Sequence, residues 1–246
     1  MTQPSRLFVR SLTKTYDVSG RRITVLSGVD LVVYEGEFVS VIGRNASGKS
    51  TLLKIIAGVR GPTSGTLELI GVATYLPQDH ALLPWRTVEE NLLLPSDLQG
   101  VPRSAARKRV HDFLAEFGLE RYARMYPAAL SGGTRQKVAL LRAVLQDASF
   151  LLLDEPFVSL DALTRLEAQA WLLALIEKTG ASVLFVTHDI QEAIFLSDAI
   201  YVLNRSGHVS EKFSVPLLRP RRREHMQTPA ALQLEKTLLS LLVPAV

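Results

Sequence analysis

A short segment dominated by small residues, GRNASGKST, constrains the fold of this chain more than any other part of its sequence. It fits the pattern G-x4-G-K-[ST] and consists of Gly43, Arg44, Asn45, Ala46, Ser47, Gly48, Lys49, Ser50 and Thr51. The apolar, β-branched run FVSVIG precedes it, and KSTLLKIIAG, which has helical spacing, follows it. This order of strand, loop and helix predicts a phosphate-binding loop, because backbone N–H groups and the helix N-terminus converge on one anion.

The same loop carries the side chains that a nucleoside triphosphate requires. We expect these residues to bind ATP, with Lys49 reaching the β- and γ-phosphates and the Ser50 hydroxyl ligating Mg²⁺. The alternative is a chance glycine-rich turn, which would produce the pattern in such a chain with odds on the order of one per cent. The flanking strand and helix make that alternative weaker still.

A second apolar run, FLLLDEP, ends in two acidic residues. A buried parallel strand places its carboxyl end at the ligand-binding edge of a sheet, so Asp154 is expected to orient Mg²⁺, directly or through a water molecule. Glu155 faces another direction and is the candidate general base that polarises the attacking water. A strand ending in a solvated acidic turn would be the commoner interpretation of this run alone, but the phosphate loop upstream favours the catalytic one.

Strand-like and helical segments alternate along most of the chain, which predicts a parallel sheet wrapped by helices. The segment of about 86–145 is helical throughout and interrupts this alternation. We therefore expect one α/β domain over 1–246, with its core at about 1–85 and 146–213, a helical subdomain at 86–145 and a tail at 214–246. The expected class is a P-loop NTPase core with an antiparallel β subdomain and an inserted α-helical subdomain.

Composition restricts the compartment and the kinds of partner that are expected for this protein. The chain has no cysteine, which excludes disulfides and thiolate metal sites and fits a reducing cytosol. The N-terminus has no apolar signal segment, and the longest apolar runs are far shorter than the ~20 residues that cross a bilayer. The net charge is +4, and the basic residues are scattered except for RPRRR at 219–223. We interpret that run as a solvated loop rather than a binding patch, and no nucleic-acid partner is expected.

The segment LSGGTRQ adds a family resemblance, because it resembles the LSGGxxQ signature of the ABC transporter ATPases. The resemblance extends from about residue 6 to 210. The signature residues that it implies as a second nucleotide contact are Ser131, Gly132, Gly133 and Gln136. Because Ser131 to Gly133 also open a predicted helix, they form a second anion site. In a head-to-tail homodimer, or a pair of related ATPase subunits, each ATP would lie between one phosphate loop and the partner's signature.

The resemblance implies roles for four further residues, each with a simpler alternative. Tyr16 would stack on adenine, although alone it reads as a core or rim aromatic. Gln78 would contact Mg²⁺ and sense a membrane partner, or be an ordinary surface amide. Asp161 would belong to the loop that crosses the dimer interface, and it also reads as a helix N-cap. His188 would contact the γ-phosphate, or be a capping or hydrogen-bonded residue at a strand end.

A narrower resemblance, to the importers of nitrate, sulfonate and taurine, rests on ALLPWRTV with Asn91 and on LDALTR. It implies transmembrane permease subunits, a solute-binding protein and a peripheral position at the cytoplasmic face of the membrane. The segment 78–85 is expected to contact a short permease helix, with Trp85 either in that interface or in the core. The family usually has glycine where this chain has Ala46, so we expect an ordinary φ angle there.

Two other functions compete with this interpretation. Soluble ABC-type ATPases that act on nucleic acid or ribosomes usually carry a long coiled-coil insertion or two fused cassettes, for which this chain has no room. A regulator that holds ATP without hydrolysing it would not need Glu155 and His188. The sequence therefore favours an ATPase that powers a transporter.

Overall fold

The structure is a computed structural model that describes residues 4–79, 81–146 and 149–242. The chain divides into two compact units. The first contains the described residues of 1–75, 149–155 and 180–246, and the second those of 76–148 and 156–179. Segments 76–85 and 156–179 thus group with the helices of 86–145, whereas the sequence analysis assigned them to the core.

The first unit begins with a three-stranded antiparallel sheet in the order β2-β1-β4. Its strands are β1 (Ser5–Val18), β2 (Arg21–Tyr34) and β4 (Ser64–Leu69). Buried residues alternate with exposed ones along parts of β1 and β2, as expected where one face of a sheet is covered. The runs ITVL and VDLVVY both belong to β2. Gly28 lies between them with a φ of 61°, which lets the strand continue through an irregularity instead of turning.

The second sheet of this unit has six described strands in the order β5-β6-β7-β3-β8-β9. They are β3 (Phe38–Ile42), β5 (Ala73–Leu76), β6 (Phe150–Asp154), β7 (Ser182–Thr187), β8 (Ala199–Leu203) and β9 (Val209–Ser214). Every residue of β3, β6, β7 and β8 is buried, so the sheet is covered on both faces, as their apolar runs predicted. β9 pairs antiparallel with β8 and was not predicted from the sequence.

Helices cover both faces of this sheet. They are α1 (Lys49–Ile56), α6 (Ile190–Leu196) and α7 (Pro229–Leu242). Helix α1 contributes Leu52, Leu53, Ile55 and Ile56 to a core shared with the antiparallel sheet. Helices α6 and α7 form a second core with β3 and β8, through residues that include Ile194 and Leu238. Helix α1 ends before Gly58, whose φ of 72° suits the left-handed position after a helix.

The arginine run at 219–223 joins the tail to the body of the first unit. Arg219 and Arg221 both pair with Asp198, each at 2.5 Å, and Arg221 also donates to the Leu196 carbonyl oxygen at 2.7 Å. The guanidinium of Arg223 lies 3.8 Å from the ring centroid of Phe195. The prediction of a solvated loop is therefore wrong for Arg221 and Arg223, because a carboxylate and an aromatic ring distant in sequence supply their partners.

The second unit is helical, as expected for an inserted helical subdomain. It contains α2 (Val88–Gln99), α3 (Arg103–Glu116), α4 (Gly132–Val144) and α5 (Ala162–Thr179), with short 3-10 turns at Glu120–Tyr122 and Pro127–Ala129. Helix α2 starts with a capping box in which Thr87 and Glu90 exchange hydrogen bonds. Helix α5 belongs to this unit because it packs against α4, and the ring of Trp171 meets Phe117 edge-on at 5.1 Å.

Candidate functional site

Three strands of the central sheet end at the same level, and each is followed by a predicted site residue. Ile42 of β3 pairs with Thr187 of β7, and Asp154 of β6 pairs with Val186. The phosphate loop begins directly after Ile42, Glu155 follows Asp154, and His188 follows Thr187. The parallel register therefore brings segments distant in sequence to one edge of the sheet, which is where ligands bind in open α/β folds.

The backbone of the loop is tightly curled and leaves no room for larger residues at its glycines. A Cβ atom at Gly43 would lie 2.5 Å from the Leu203 carbonyl oxygen, and one at Gly48 would lie 2.7 Å from Leu26 Cδ2. Ala46 has a φ of 64°, so the expectation of an ordinary φ at this position is wrong. The curl requires a left-handed residue there, and alanine adopts it at a cost of about 1 kcal/mol or more relative to glycine.

Lys49 lies inside the loop rather than pointing into solvent. Its side chain is only 4% exposed, and Nζ donates to the carbonyl oxygens of Gly43 at 2.9 Å and Arg44 at 3.1 Å. The same ammonium is 3.6 Å from Glu155 Oε1. Burial lowers the pKa of Lys49, and the Glu155 carboxylate opposes that shift. The lysine is therefore a buried cation that two carbonyl oxygens and a carboxylate hold within the loop.

The remaining loop residues differ in their exposure. Arg44, Asn45 and Ala46 are exposed, and Thr51 lies in the first turn of α1. Ser47 is 2% exposed, and its Oγ has no hydrogen-bond partner among the described residues. No described side chain caps the N-terminus of α1. A buried hydroxyl and an uncapped helix N-terminus fit an anion that would satisfy them.

Asp154 accepts hydrogen bonds on both of its carboxylate oxygens. Ser50 Oγ donates to Oδ1 at 2.8 Å, and the Tyr75 hydroxyl donates to Oδ2 at 2.9 Å. The side chain of Asp154 is 4% exposed. The hydroxyl and the carboxylate predicted to hold Mg²⁺ are thus adjacent, and oxygen ligands are those that Mg²⁺ prefers.

Glu155 contacts different partners from Asp154 because the chain turns sharply between them. It has a φ of 46°, a left-handed conformation, and its N–H donates to the Val186 carbonyl oxygen at 2.9 Å. Its Oε2 lies 2.8 Å from His188 Nδ1, and its Oε1 faces Lys49. The strained backbone turns this carboxylate away from the Ser50–Asp154 pair and toward the histidine, an arrangement expected at a functional site rather than in an ordinary turn.

Tyr16 is half-buried on β1, and the antiparallel sheet brings it near the loop. Tyr16 pairs with Ile23 of β2. Two residues further along β2, the carbonyl oxygen of Val25 lies so close to the loop that a Cβ atom at Gly48 would be 2.8 Å from it. Arg60 Nη1 donates to the Tyr16 hydroxyl at 3.3 Å. The guanidinium of Arg60 lies 5.6 Å from the ring centroid and Lys14 Nζ lies 5.1 Å from it. The aromatic side chain is therefore held by two cations beside the loop.

The signature residues lie in the second unit, at the start of α4. Ser131 is the N-cap of this helix: its side chain accepts a hydrogen bond from the Thr134 N–H at 3.2 Å. A Cβ atom at Gly133 would lie 2.3 Å from Thr164 Cγ2, whereas Gly132 is less crowded. Gln136 is 1% exposed, and its Nε2 has no partner among the described residues. The segment opens a helix, as predicted.

Asp161 lies in the second unit immediately before α5. Its Oδ1 accepts from the Thr164 N–H at 3.1 Å, so the residue is an N-cap, as one of its two interpretations stated. Hydrogen bonds from the Thr164 side chain and backbone hold the pKa of Asp161 below its ordinary value. The carboxylate is exposed and remains charged at neutral pH.

The loop between β5 and α2 also belongs to the second unit. It contains the segment 78–85 that was predicted to contact a permease, of which residue 80 lies outside the described residues. Gln78 is exposed and lies two residues after the end of β5. Trp85 is 71% exposed, so the structure does not support its interpretation as a core residue. The buried Asn91 fixes this loop: its Oδ1 accepts from the Leu83 N–H at 2.8 Å, and its Nδ2 donates to the Arg86 carbonyl oxygen at 3.1 Å.

Tyr75 is the residue of the site that sequence reasoning missed. It stands in the run YLPQ, three positions before Gln78. From sequence alone, a tyrosine in an apolar strand is interpreted as a residue that packs in the core. The hydrogen bond of its hydroxyl to Asp154 forms only because β5 lies beside β6 in the folded sheet. Only a prediction of β5 beside β6 would have pointed to it.

Comparison with known proteins gives the family. The chain belongs to the ABC transporter family, which matches residues 26–158. It is 44% identical to the aliphatic sulfonates import ATP-binding protein SsuB of Delftia acidovorans, covering 87% of this chain and 86% of that protein. It is 39% identical to the formylaminopyrimidine import ATP-binding protein ThiZ of Halalkalibacterium halodurans, again covering 87% and 86%.

A solved structure supports the fold over most of the chain. It is a dimeric ATP-binding cassette in a post-hydrolysis state bound to ADP and Pi, with a TM-score of 0.76 and 31% identity. The match covers 86% of this chain and all of that one. The expected α/β P-loop NTPase fold is confirmed, and the protein is an ATPase of the ABC transporter family. Within the described residues, no helix has both the length and the apolar character needed to cross a membrane.

Proposed function

We propose that this protein is the ATP-hydrolysing subunit of an ABC importer for a small solute, and that it works as a dimer against transmembrane permease subunits. The observation that carries the proposal is the contact of Glu155 with both His188 and Lys49 beside the phosphate loop. A capping or structural role for these residues would not require a carboxylate held between a lysine and a histidine at the end of a strand. The soluble ATPase acting on nucleic acid or ribosomes and the non-hydrolysing regulator both lose support, because the relatives described above are import ATP-binding proteins.

Nucleotide binding depends on the loop and on Tyr16. The N–H groups at the start of α1 and the Lys49 ammonium would hold the phosphates, while Gly43 and Gly48 let the backbone approach them closely. The buried Ser47 hydroxyl would donate to a phosphate oxygen, which would satisfy it. The ring of Tyr16 would stack on adenine, with Lys14 and Arg60 fixing its orientation.

Mg²⁺ would be held by Ser50 and Asp154, with Gln78 as a third ligand. When bound, it supplies positive charge that stabilises the developing charge on the phosphate oxygens. The oxygens of Ser50, Asp154 and Gln78 suit Mg²⁺, which commonly takes one or two protein oxygens together with substrate phosphates and water.

Glu155 would act as the general base for hydrolysis. Its carboxylate accepts the proton of the attacking water as the oxygen of that water bonds to the γ-phosphorus, and the bond from phosphorus to the ADP oxygen breaks. His188 holds Oε2 of this carboxylate and would itself contact the γ-phosphate. Lys49 stabilises the negative charge of the phosphates through the transition state.

A second copy of the chain, or a related subunit, would complete each site. Ser131, Gly132, Gly133 and Gln136 of the partner would face the γ-phosphate through a hydroxyl, backbone N–H groups and a helix N-terminus. Asp161 would lie in the loop that crosses the interface. This part of the proposal is supported by the dimeric state of the related cassette and by the exposed position of Ser131.

The permease would dock on the second unit, beside the loop that Asn91 holds. There a groove of about 340 Å³ is lined mainly by apolar residues, among them Leu83, Leu94 and Leu98. A short helix of a permease subunit fits such a groove. The protein would therefore be peripheral at the cytoplasmic face of the membrane.

The solute itself would be chosen by the permease and by a solute-binding protein. The resemblance to sulfonate importers and the import of aliphatic sulfonates by one relative favour a small anion such as a sulfonate, nitrate or taurine. The formylaminopyrimidine relative extends the range to a small heterocycle. Mass spectrometry of the ligand bound to the purified complex would identify it.

The decisive experiment on the site is Glu155→Gln. The amide keeps the shape of the carboxylate and cannot accept the proton of water, so ATP binding should persist while turnover falls by about 100-fold or more. ATP binding is measured by calorimetry and turnover by phosphate release. Glu68→Gln, at an exposed position of β4, is the matched control and should keep wild-type turnover. Wild-type hydrolysis by Glu155→Gln would exclude Glu155 as the base.

A further inference from the structure

The hydrogen bond between Tyr75 and Asp154 has no role in the function proposed so far. Tyr75 lies on β5, which neighbours β6 in the sheet, and its hydroxyl donates to Asp154 Oδ2 at 2.9 Å. The other oxygen of Asp154 is 2.8 Å from Ser50 Oγ. Each carboxylate oxygen of Asp154 therefore has its own donor, and the two donors come from different parts of the chain.

Two donors on different oxygens fix the plane of a carboxylate. With only one donor, the group can rotate about its Cβ–Cγ bond and exchange its two oxygens, because this terminal torsion is broad. A phenol hydroxyl can donate a hydrogen bond and a carboxylate accepts one, so Tyr75 is the donor in this contact. The bond is charge-assisted, which makes it stronger than a hydrogen bond between neutral groups.

We propose that Tyr75 is a positioning residue for the metal site: its hydroxyl holds Asp154 so that Oδ1 stays beside Ser50, where Mg²⁺ enters with the nucleotide. This inference deepens the proposed function and rests on it. Tyr75 contacts neither nucleotide nor metal in this scheme and acts only through Asp154. Removing its hydroxyl should therefore change the affinity for the metal and leave the metal-free affinity for nucleotide as it is.

The ring and the hydroxyl of Tyr75 have separable roles. The ring packs against the core formed by the antiparallel sheet and α1. The hydroxyl alone reaches Asp154. Tyr75→Phe keeps the packing and deletes only the hydrogen bond, so the variant is expected to fold. The hydroxyl is the only group that differs between the two side chains, which makes the substitution a clean test.

The test measures binding of the β,γ-imido analogue of ATP to the full-length protein over a series of Mg²⁺ concentrations, and separately in EDTA. For Tyr75→Phe, the Mg²⁺ concentration at half-saturation should rise about tenfold, the loss expected for one hydrogen bond to a charged group. Binding in EDTA should match the wild type. The control is Tyr201→Phe, since the Tyr201 hydroxyl bonds to the backbone of Val32 at 3.2 Å and is also largely buried.

The outcomes separate this inference from the proposed function. If the wild type shows Mg²⁺-dependent binding and Tyr75→Phe has the same Mg²⁺ dependence, the positioning role is wrong and the proposed function stands. If both Tyr75→Phe and Tyr201→Phe weaken binding equally with and without Mg²⁺, the hydroxyl is merely structural. If the wild type itself binds the analogue with no Mg²⁺ dependence, the proposed metal site fails.

Discussion

The helix that follows the phosphate loop and the helix that follows the signature begin in opposite ways. Helix α1 starts after Gly48 and has no described side-chain cap. Helix α4 starts after Ser131, whose hydroxyl accepts from the Thr134 N–H and also lies 2.9 Å from Thr134 Oγ1. Both ends carry the partial positive charge of a helix N-terminus. The first leaves its N–H groups for a ligand, whereas the second satisfies one of them with its own side chain.

The surroundings of the two helix ends also differ: those of α1 are buried, whereas Ser131 at the start of α4 is exposed. Around α1, Lys49 and Asp154 are buried and already held in place by hydrogen bonds within the first unit. At α4, Ser131 is exposed and its contacts stay within one helical turn. In the proposed dimer, one half of the site would thus be preorganised inside a single chain, while the other half would be a surface that a second chain completes.

The largest expected effect comes from placing one defect on each helix end. A Lys49→Ala chain lacks the phosphate cation, and a Ser131→Arg chain presents a bulky side chain to the partner's nucleotide. Each should be inactive alone. In a mixed dimer, one site carries both defects and the other carries none. Random mixing should therefore restore roughly a quarter of wild-type ATPase activity, because half of the dimers are mixed and each has one intact site of two.

Two control measurements test whether activity in the mixture of the two variants comes from an intact site shared between two chains. Ser131→Arg should bind ATP as a monomer nearly as well as the wild type, since its own phosphate loop is unchanged. A chain that carries both substitutions should restore no activity when mixed with either parent, because each mixed dimer then lacks an intact site. Normal hydrolysis by either single variant as a monomer would show that the site is not shared.

Substitutions of Ser131 that act only on the N-cap of α4 are expected to have a smaller effect, on stability and on dimerisation. Ser131→Ala removes the acceptor for the Thr134 N–H and should lower the free energy of unfolding by about 1 kcal/mol, measured by denaturant titration. Ser131→Asp keeps the cap and should retain stability, yet it places a negative charge where the partner's γ-phosphate would lie. It should therefore weaken ATP-induced dimerisation, measured by analytical ultracentrifugation. If Ser131→Asp dimerises with ATP as the wild type does, Ser131 does not face the partner's phosphates.

The parts of this site that could be predicted from sequence are those whose residues lie close together in short segments of the chain. The phosphate loop, the acidic strand end and the start of α4 each carry their own local signals, and the structure has the expected elements at all three. Tyr75 and Arg221 could not be predicted, because their partners, Asp154 and Asp198, lie far along the chain. Such pairs depend on strand order and on the path of the tail, which periodicity and turn residues do not determine.

The conformation of Ala46 was beyond sequence reasoning for a different reason. Alanine has no preference for positive φ, so the residue type gave no sign of the left-handed conformation that the loop requires there. The same holds for Glu155, whose φ of 46° is set by the turn after β6 and by the hydrogen bond of its N–H to Val186. In both places the surrounding structure overrides the preference of the residue.

The smallest expected effect follows from that conflict at Ala46. Ala46→Gly relieves the strain of a left-handed alanine but also gives the unfolded chain more freedom, and the second contribution costs roughly 0.4–1 kcal/mol. The two nearly cancel, so the free energy of unfolding should change by less than about 1 kcal/mol, most simply as a slight gain. Ala57→Gly is the matched control, because Ala57 follows α1 with an ordinary φ of −70° and gains nothing from glycine. It should lose roughly 0.5–1 kcal/mol. If denaturant titration finds that both variants lose the same stability, Ala46 is not left-handed in solution, and the curled loop beside Lys49 needs another description.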